Sequence, residues 1–197
     1  MNRAILISAL FLLINLAGCL SHDLVEEQES VRQYSFIANT MDAVSKSTEQ
    51  FDLRDNLSQN PMILLWVSTG CYGCHDWTDT FRASIENGSL NASSIVSIHR
   101  YSDFESVEKL NQVYGVHNNS SHPTPWTMVI PNQNTSVLDF NTGEIVNDFS
   151  IYEAFNHPVT PTIQIVNSDG EIAWTSNEYW PSDVALQDVL QSLSNVS

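Results

Sequence analysis

A short apolar run that ends just before two cysteines is the feature that most limits how this chain can fold. Residues 61–67 read Pro-Met-Ile-Leu-Leu-Trp-Val, and after Ser-Thr-Gly the chain continues as Cys71-Tyr-Gly-Cys74. A continuous apolar run of this length, bounded by Pro and Gly, indicates a strand buried on both faces. Residues 75–87 then carry an apolar side chain at every fourth position, which predicts one face of a helix. The sequence therefore places two thiols between a buried strand and a helix.

The elements predicted further along the chain alternate between strand and helix. A capping box, Ser102 to Glu105, predicts the start of a second helix that directs Phe104 inward and ends at Gly115. The remaining predicted elements are strands at 95–99 and 126–130, hairpins at 136–149 and 162–175, and a last helix at 181–193. Alternating strands and helices predict an α/β protein with a mostly parallel sheet, and the closing hairpin adds antiparallel strands.

The N-terminus is typical of an exported protein. In residues 1–18, Arg3 precedes an apolar stretch that is too short for a membrane-spanning helix, as in a secretory signal peptide. The stretch ends at Leu16-Ala-Gly-Cys19, which resembles the lipobox of prokaryotic lipoproteins. That resemblance implies cleavage before Cys19, a lipid on its thiol, and a protein anchored to the outer face of the cell membrane. The alternative is an ordinary signal peptide with an unrelated cysteine.

The mature chain is expected to be one domain on a tether. Residues 19–47 are polar and weakly periodic, and we interpret them as the lipid-anchored tether. Residues 48–197 are then the folded domain, which is long enough to bury a core without disulfide staples.

The charge of the chain excludes some partners. It carries 7 Lys and Arg against 23 Asp and Glu, a formal net charge of −16. Nucleic acid and anionic lipid surfaces are recognised by basic patches, so neither is an expected ligand. An acidic surface of this kind is consistent with solubility alone.

The cysteine count favours redox chemistry. The chain has three cysteines, and lipidation of Cys19 leaves Cys71 and Cys74 with only each other as partners. A pair spaced this closely closes almost no loop and stabilises a fold little. At a helix start, free N–H groups and the helix dipole lower the pKa of the first thiol. We therefore expect Cys71 to attack a substrate and Cys74 to resolve the mixed disulfide.

Two motifs resemble the thioredoxin superfamily, most closely the membrane-tethered TlpA/ResA-type thiol–disulfide oxidoreductases. They are residues 63–67 with the following Cys71-Tyr-Gly-Cys74, and Val159-Thr-Pro-Thr162 before the late hairpin. The resemblance implies a thioredoxin fold, with a central mixed sheet flanked by helices. It implies that Pro161 follows a cis peptide bond against the dithiol and that Thr160 binds the substrate backbone. It also implies protein thiols or disulfides as substrates, reduction as the direction, and a transmembrane thiol donor.

The sequence departs from thioredoxins at three places. Gly70 stands where thioredoxins carry Trp, and Tyr72-Gly73 replaces Gly-Pro between the cysteines, where the pair tunes the reduction potential. Leu65 stands where thioredoxins keep a buried Asp. The proton acceptor for Cys74 is therefore not identified by the sequence and could be water, His75 or an unassigned acidic residue. We expect His75 to be an exposed residue of the first helical turn.

Three alternatives remain at this stage. Cys71 to His75 also matches the C-x-x-C-H pattern of covalent haem attachment, which would need a distal ligand. Cys71, Cys74 and a distal His could hold copper or zinc. Residues 117–156 could be a docking surface in a binding module. The candidate distal ligands for a haem are Met128, His99, His117, His122 and His157. The favoured interpretation needs no cofactor and no metal.

Overall fold

A mixed sheet organises the part of the chain that the structure describes. The computed structural model describes residues 33–41, 50–58, 60–116, 119–147 and 150–196. Nine strands are found there: β1 Tyr34–Thr40, β2 Gln50–Asp52, β3 Met62–Val67, β4 Ile95–His99, β5 Thr127–Ile130, β6 Val137–Asp139, β7 Ile145–Val146, β8 Thr162–Val166 and β9 Ile172–Ser176. Their order is β7-β6-β1-β5-β4-β3-β8-β9, and β2 pairs with β1. The predicted α/β architecture with a central mixed sheet is confirmed.

Five helices accompany the sheet in the same residues. They are α1 Leu53–Leu57, α2 Tyr72–Glu86, α3 Val107–Tyr114, α4 Ile151–Ala154 and α5 Asp183–Asn195, with a 3-10 turn at Ala92–Ser94. No helix of the described ranges is long and apolar enough to cross a membrane.

Strand β3 lies in the interior of the sheet because it can be buried on both faces. Every residue from Met62 to Val67 is buried, which is the pattern predicted for the apolar run. β3 pairs in parallel with β4 and antiparallel with β8. The carboxyl end of β3, where the cysteines follow, therefore lies beside the end of β4 and the beginning of β8.

The two faces of β3 belong to two hydrophobic cores. Ile63, Leu65 and Val67 point to the core that contains both cysteines and the inner faces of α2, α3 and α5. Leu64 and Trp66 point to the other core, which contains α1, α4 and strand β1. This alternation follows from the two-residue period of a strand.

Strand β1 corrects the predicted domain boundary. Residues 34–40 belong to the segment interpreted as tether, but they pair with β2, β5 and β6 inside the sheet. Phe36 is fully buried there and packs edge-on against Phe155. The tether prediction is wrong for this segment. Its apolar residues alternate over too few positions for the sequence pattern to distinguish a strand from a polar linker. Residues 1–32, with Cys19, lie outside the described residues.

Helix α3 begins later than predicted. Its N-cap is Ser106, whose hydroxyl accepts a hydrogen bond from Lys109 N–H at 3.2 Å, and not Ser102. Phe104 is 87% exposed, so the predicted inward orientation is wrong. Glu105 does not close a capping box because its carboxylate binds elsewhere, as described below. The predicted end of the helix at Gly115 is confirmed.

Most of the other predicted elements are confirmed. Residues 137–146 form an antiparallel hairpin, and β8 and β9 form the late hairpin. Trp126, Phe140 and Phe155 are buried, as expected for core residues and not for a docking surface. The short helix α4 had no predicted counterpart, although its Ser150–Glu153 capping box is visible in the sequence.

Candidate active site

The two cysteines lie at the first turn of α2, directly after the segment that leaves β3. Cys71 is the N-cap residue, and its Sγ accepts a hydrogen bond from the N–H of Cys74 at 3.1 Å. The two sulfurs form a disulfide with Cα atoms 5.2 Å apart. Cys71 is 6% exposed and Cys74 is fully buried, so Cys71 is the more accessible of the two. A helix N–H directed at Sγ of Cys71 favours the thiolate of this residue once the disulfide is reduced.

The predicted substrate-binding residues lie beside this turn. The peptide bond between Thr160 and Pro161 is cis, as the resemblance implied. Trp66 of β3 is paired with Thr162 of β8, so the antiparallel register carries Thr160 next to Ser68. Their hydroxyl oxygens are 3.3 Å apart. The structure thus places Thr160 beside Ser68, whose carbonyl accepts from the N–H of Cys71.

The backbone of Thr69, two residues before Cys71, is held on both sides by titratable groups. The amide of Thr69 donates to Glu105 Oε2 at 2.8 Å, and its carbonyl accepts from His75 Nε2 at 3.1 Å. One residue earlier, the carbonyl of Ser68 accepts from the hydroxyl of Tyr114 at 2.9 Å. These bonds fix the backbone that leads to Cys71.

Glu105 is in turn held by a buried histidine. Its Oε2 accepts from Nε2 of His99 at 2.7 Å. Nδ1 of His99 is buried and has no hydrogen-bond partner among the described residues, which fits a neutral ring with its proton on Nε2. Burial lowers the pKa of His99. Burial opposes ionisation of Glu105, but hydrogen bonds from Thr69 and His99 outweigh it and lower the pKa of Glu105.

His75 is held by a second histidine and is not the exposed residue that the sequence predicted. Its ring stacks on that of His122, with centroids 4.3 Å apart and planes 15° apart. His122 Nδ1 is 2.9 Å from Asp79 Oδ2, and Asp79 also pairs with Arg82 at 2.8 Å. Burial first, and repulsion from His122 second, lower the pKa of His75. His75 therefore meets Thr69 as a neutral ring whose proton is on Nε2.

The position of the thioredoxin aspartate is apolar in this chain. Leu65 is fully buried in β3, within the core that contains Cys74. Cys74 Sγ lies 3.9 Å from the carbonyl oxygen of Trp66, which is not a proton acceptor for a thiol. Leu65 therefore offers no carboxylate as the proton acceptor for Cys74.

Several candidate ligands of the haem alternative are engaged by other groups, and His117 lies outside the described residues. His75 Nε2 is used on Thr69, and His99 and His122 are paired with carboxylates. Met128 is buried in β5 as a core residue. Across the described ranges, no group of three or more His, Cys, Asp or Glu residues is arranged to hold a metal ion.

Sequence reasoning missed the groups that hold Thr69. The sequence pattern indicates Glu105 as a capping residue and His122 only as a candidate distal ligand. The spacing of His75 and Asp79, four residues apart on α2, is the one local signal that they share a helix face. The partners of Thr69 come from other elements, and a single sequence carries no sign of such pairings.

Comparisons with known proteins agree with the fold. No family model matches the sequence, and no curated protein matches it. Among solved structures, the chain is similar to a secreted Mycobacterium tuberculosis disulfide oxidoreductase homologous to Escherichia coli DsbE, at 18% identity and a TM-score of 0.51 over 80% of this chain and 96% of that one. A putative thioredoxin from Neisseria meningitidis is 15% identical, with a TM-score of 0.55 over 83% and 89% of the two chains.

A thioredoxin-like protein from Aeropyrum pernix is a third similar structure. It is 18% identical, with a TM-score of 0.51, and the match covers 80% of this chain and 89% of that one. At these identities the likeness concerns the fold, and the fold of this chain is the thioredoxin fold. The chemistry of this chain rests on its own residues.

Proposed function

We propose that this thioredoxin-fold chain is a thiol–disulfide oxidoreductase that reduces disulfides of exported proteins through Cys71 and Cys74. The observation that carries the proposal is the Cys71–Cys74 disulfide at the start of α2, with Sγ of Cys71 accepting a helix N–H. The neighbouring Thr160 supports it, because a substrate chain lying along Thr160 would bring its own disulfide to Cys71.

The reaction begins with the reduced dithiol. The thiolate of Cys71 attacks one sulfur of the substrate disulfide, and the second substrate sulfur leaves as a thiolate that takes up a proton. Cys71 is now joined to the substrate by a mixed disulfide. Cys74 then loses its proton and attacks Sγ of Cys71, which releases the first substrate sulfur as a thiol. The substrate has gained two electrons from the dithiol and two protons, one released by Cys74 and one from solvent, and the chain holds the Cys71–Cys74 disulfide.

The next turnover requires a thiol donor. The Cys71–Cys74 disulfide accepts two electrons from a dithiol, which is itself oxidised to a disulfide. The resemblance to TlpA/ResA-type proteins supports a transmembrane thiol donor and the reducing direction.

The proposed reaction is tested by trapping the intermediate. Cys74→Ser removes the resolving thiol, so mixed disulfides on Cys71 should accumulate in cells and be released by dithiothreitol. Cys71→Ser is the matched control and should trap none. Recovery of no mixed disulfides with Cys74→Ser, while the protein is folded and exported, would argue for a binding module or a metal carrier.

We also propose that the protein is anchored by lipid at Cys19 on the outer face of the membrane. The lipobox-like Leu16 to Cys19 supports this proposal. Cys19→Ser should move the protein from the membrane fraction to the soluble fraction, because stable anchoring depends on its acyl chains. Unchanged fractionation would contradict lipidation.

Absorbance spectroscopy separates the favoured function from the haem alternative. The purified protein should show no Soret band. A Soret-absorbing species bound covalently to Cys71 and Cys74 would contradict the oxidoreductase proposal.

A further inference from the structure

Two exposed aromatic side chains, Tyr179 and Trp180, lie beside the dithiol. We propose that this aromatic pair and the carboxylates around it dock a cationic side chain, Lys or Arg, next to the reacting cysteine of the substrate. The inference rests on the proposed function and names the class of polypeptide that the site prefers.

The aromatic pair is fixed to the dithiol by contacts with α2. A Cβ on Gly73, between the two cysteines, would lie well inside van der Waals distance of the carbonyl oxygen of Tyr179. The indole of Trp77 donates to the carbonyl of Glu178 at 2.8 Å. The loop between β9 and α5 therefore packs directly against the Cys71–Cys74 turn.

The same loop also contacts the segment that would bind a substrate backbone. Thr162 Oγ1 donates to Asn177 Oδ1 at 2.8 Å, just after the Thr160–Pro161 bond. A substrate chain lying along Thr160 would have its reacting sulfur at Cys71. Side chains that flank this sulfur would then fall within reach of Tyr179 and Trp180.

The aromatic surface is open to solvent. Trp180 is 56% exposed and Tyr179 is 40% exposed, and their rings meet edge to face with centroids 4.7 Å apart. Tyr72, between the cysteines, is 71% exposed. Exposed aromatic rings this close to a reactive sulfur offer a surface for contact with a partner.

The charge around the rings decides which side chain suits them. Glu178, an exposed carboxylate, directly precedes the aromatic pair in the sequence, and two further exposed carboxylates are Asp183, three residues after Trp180, and Asp76, two residues after Cys74. The guanidinium of Arg82 is engaged by Asp79 at 2.8 Å. An aromatic face attracts cations, and nearby carboxylates strengthen this attraction while repelling anions.

Arg100, on the other side of the substrate-binding segment, is also engaged. Its Nε donates to the carbonyl of Pro158 at 2.9 Å, and its guanidinium carbon lies 3.8 Å from the ring centre of Tyr152. With a net charge of −16 on the whole chain, the site favours a basic polypeptide over an acidic one.

The test uses three synthetic peptides that each contain one disulfide and differ only in the residue next to one cysteine: Arg, Leu or Glu. The rate constant for reduction by the reduced protein is measured for each peptide. Each value is divided by the rate constant for the same peptide with dithiothreitol, which corrects for the effect of the flanking residue on the disulfide itself.

The wild-type protein should prefer the Arg peptide to the Glu peptide by roughly tenfold, and the preference should shrink as salt is added. Trp180→Ala should reduce the preference for Arg over Leu by about fivefold, and Trp180→Phe should retain most of it because an aromatic face remains. Glu178→Gln should reduce the preference for Arg over Glu by about threefold. The matched controls, Ile145→Ala and Glu144→Gln in the β6–β7 hairpin, should change neither ratio.

The outcomes separate this inference from the proposed function. Equal corrected rate constants for the three peptides would overturn the inference. A preference for the Leu peptide would also overturn it and would indicate an apolar site. Hydroxyethyl disulfide is measured in parallel because it has no flanking residue. If the protein reduces hydroxyethyl disulfide but does not discriminate among the three peptides, only the inference is overturned. Failure to react with any disulfide overturns the proposed function.

Discussion

The ring of His75 stacks on the ring of His122, and this contact places Nε2 of His75 on the carbonyl of Thr69, two residues before Cys71. On the other side, Glu105 accepts from the amide of the same residue. The backbone of Thr69 is thus bound at its amide by Glu105 and at its carbonyl by His75.

Replacing His122 should raise the pKa of His75. His122→Ala removes a ring that stacks on His75, and with it part of the burial that is the largest cause of the lowered pKa, and it removes the repulsion from His122 that is the second cause. Asp79 would then be left without the histidine that faces it. The titration of the His75 ring by NMR measures the change. An unchanged or lower pKa would show that His122 does not control the protonation of His75.

Neutralising Glu105 should destabilise the protein. Glu105→Gln replaces a charged acceptor, shared by Thr69 N–H and His99, with a neutral amide. Hydrogen bonds to charged groups contribute about 1.5–3 kcal/mol, and part of this free energy should be lost. The free energy of unfolding is measured by urea denaturation. Glu108→Gln, at an exposed position of α3, is the matched control and should have little effect. Equal effects of the two substitutions would contradict a special role for Glu105.

The free energy of unfolding should fall as the pH drops below about 6.5. The pKa values of His99 and His75 are lowered in the folded state, so below this pH the unfolded chain binds more protons than the folded one. The lowered pKa of Glu105 acts in the same direction at more acidic pH. Urea denaturation at several pH values measures the slope, and His99→Gln should reduce it. A stability that rises on acidification in this range would contradict the assignment of neutral His99 and His75.

Adding one methyl group at Gly73 should disturb the site, whereas the same change at Gly70 should not. A Cβ at Gly73 meets the carbonyl oxygen and the ring of Tyr179, whereas a Cβ at Gly70 meets nothing within 4 Å. Gly73 lies inside α2, where Ala has the better helix propensity, so any loss reflects the close contact. Gly73→Ala should lower the free energy of unfolding by about 1–3 kcal/mol. Equal stability of the two variants would contradict close packing of the loop at Tyr179 on the dithiol turn.

The sequence predicted the parts of the fold that depend on short-range pattern. The apolar run at 62–67, the helix after the cysteines and the turn at 167–170 are each encoded by a few adjacent residues. The Thr160–Pro161 motif was found by resemblance, and its place beside Ser68 follows from the pairing of β8 with β3.

The sequence did not predict what depends on distant contacts. Strand β1 is buried only because β5 and β6 lie on either side of it. Glu105 has the spacing of a capping residue, but its carboxylate binds Thr69, which lies 36 residues earlier. His122 reaches His75 from a loop 47 positions away. Long-range pairings of this kind decide the surroundings of the dithiol, and one sequence does not record them.

The reduction potential of the Cys71–Cys74 pair tests the account most directly. The protein is equilibrated in glutathione or dithiothreitol buffers of defined potential, and the free thiols are counted by alkylation and mass spectrometry, with metal content measured on the same sample. A reductase of protein disulfides should titrate reversibly as a two-electron couple below about −200 mV, nearer to thioredoxin at about −270 mV than to DsbA at about −120 mV. A midpoint near that of DsbA, or a pair that is not reversibly reduced, would contradict the account.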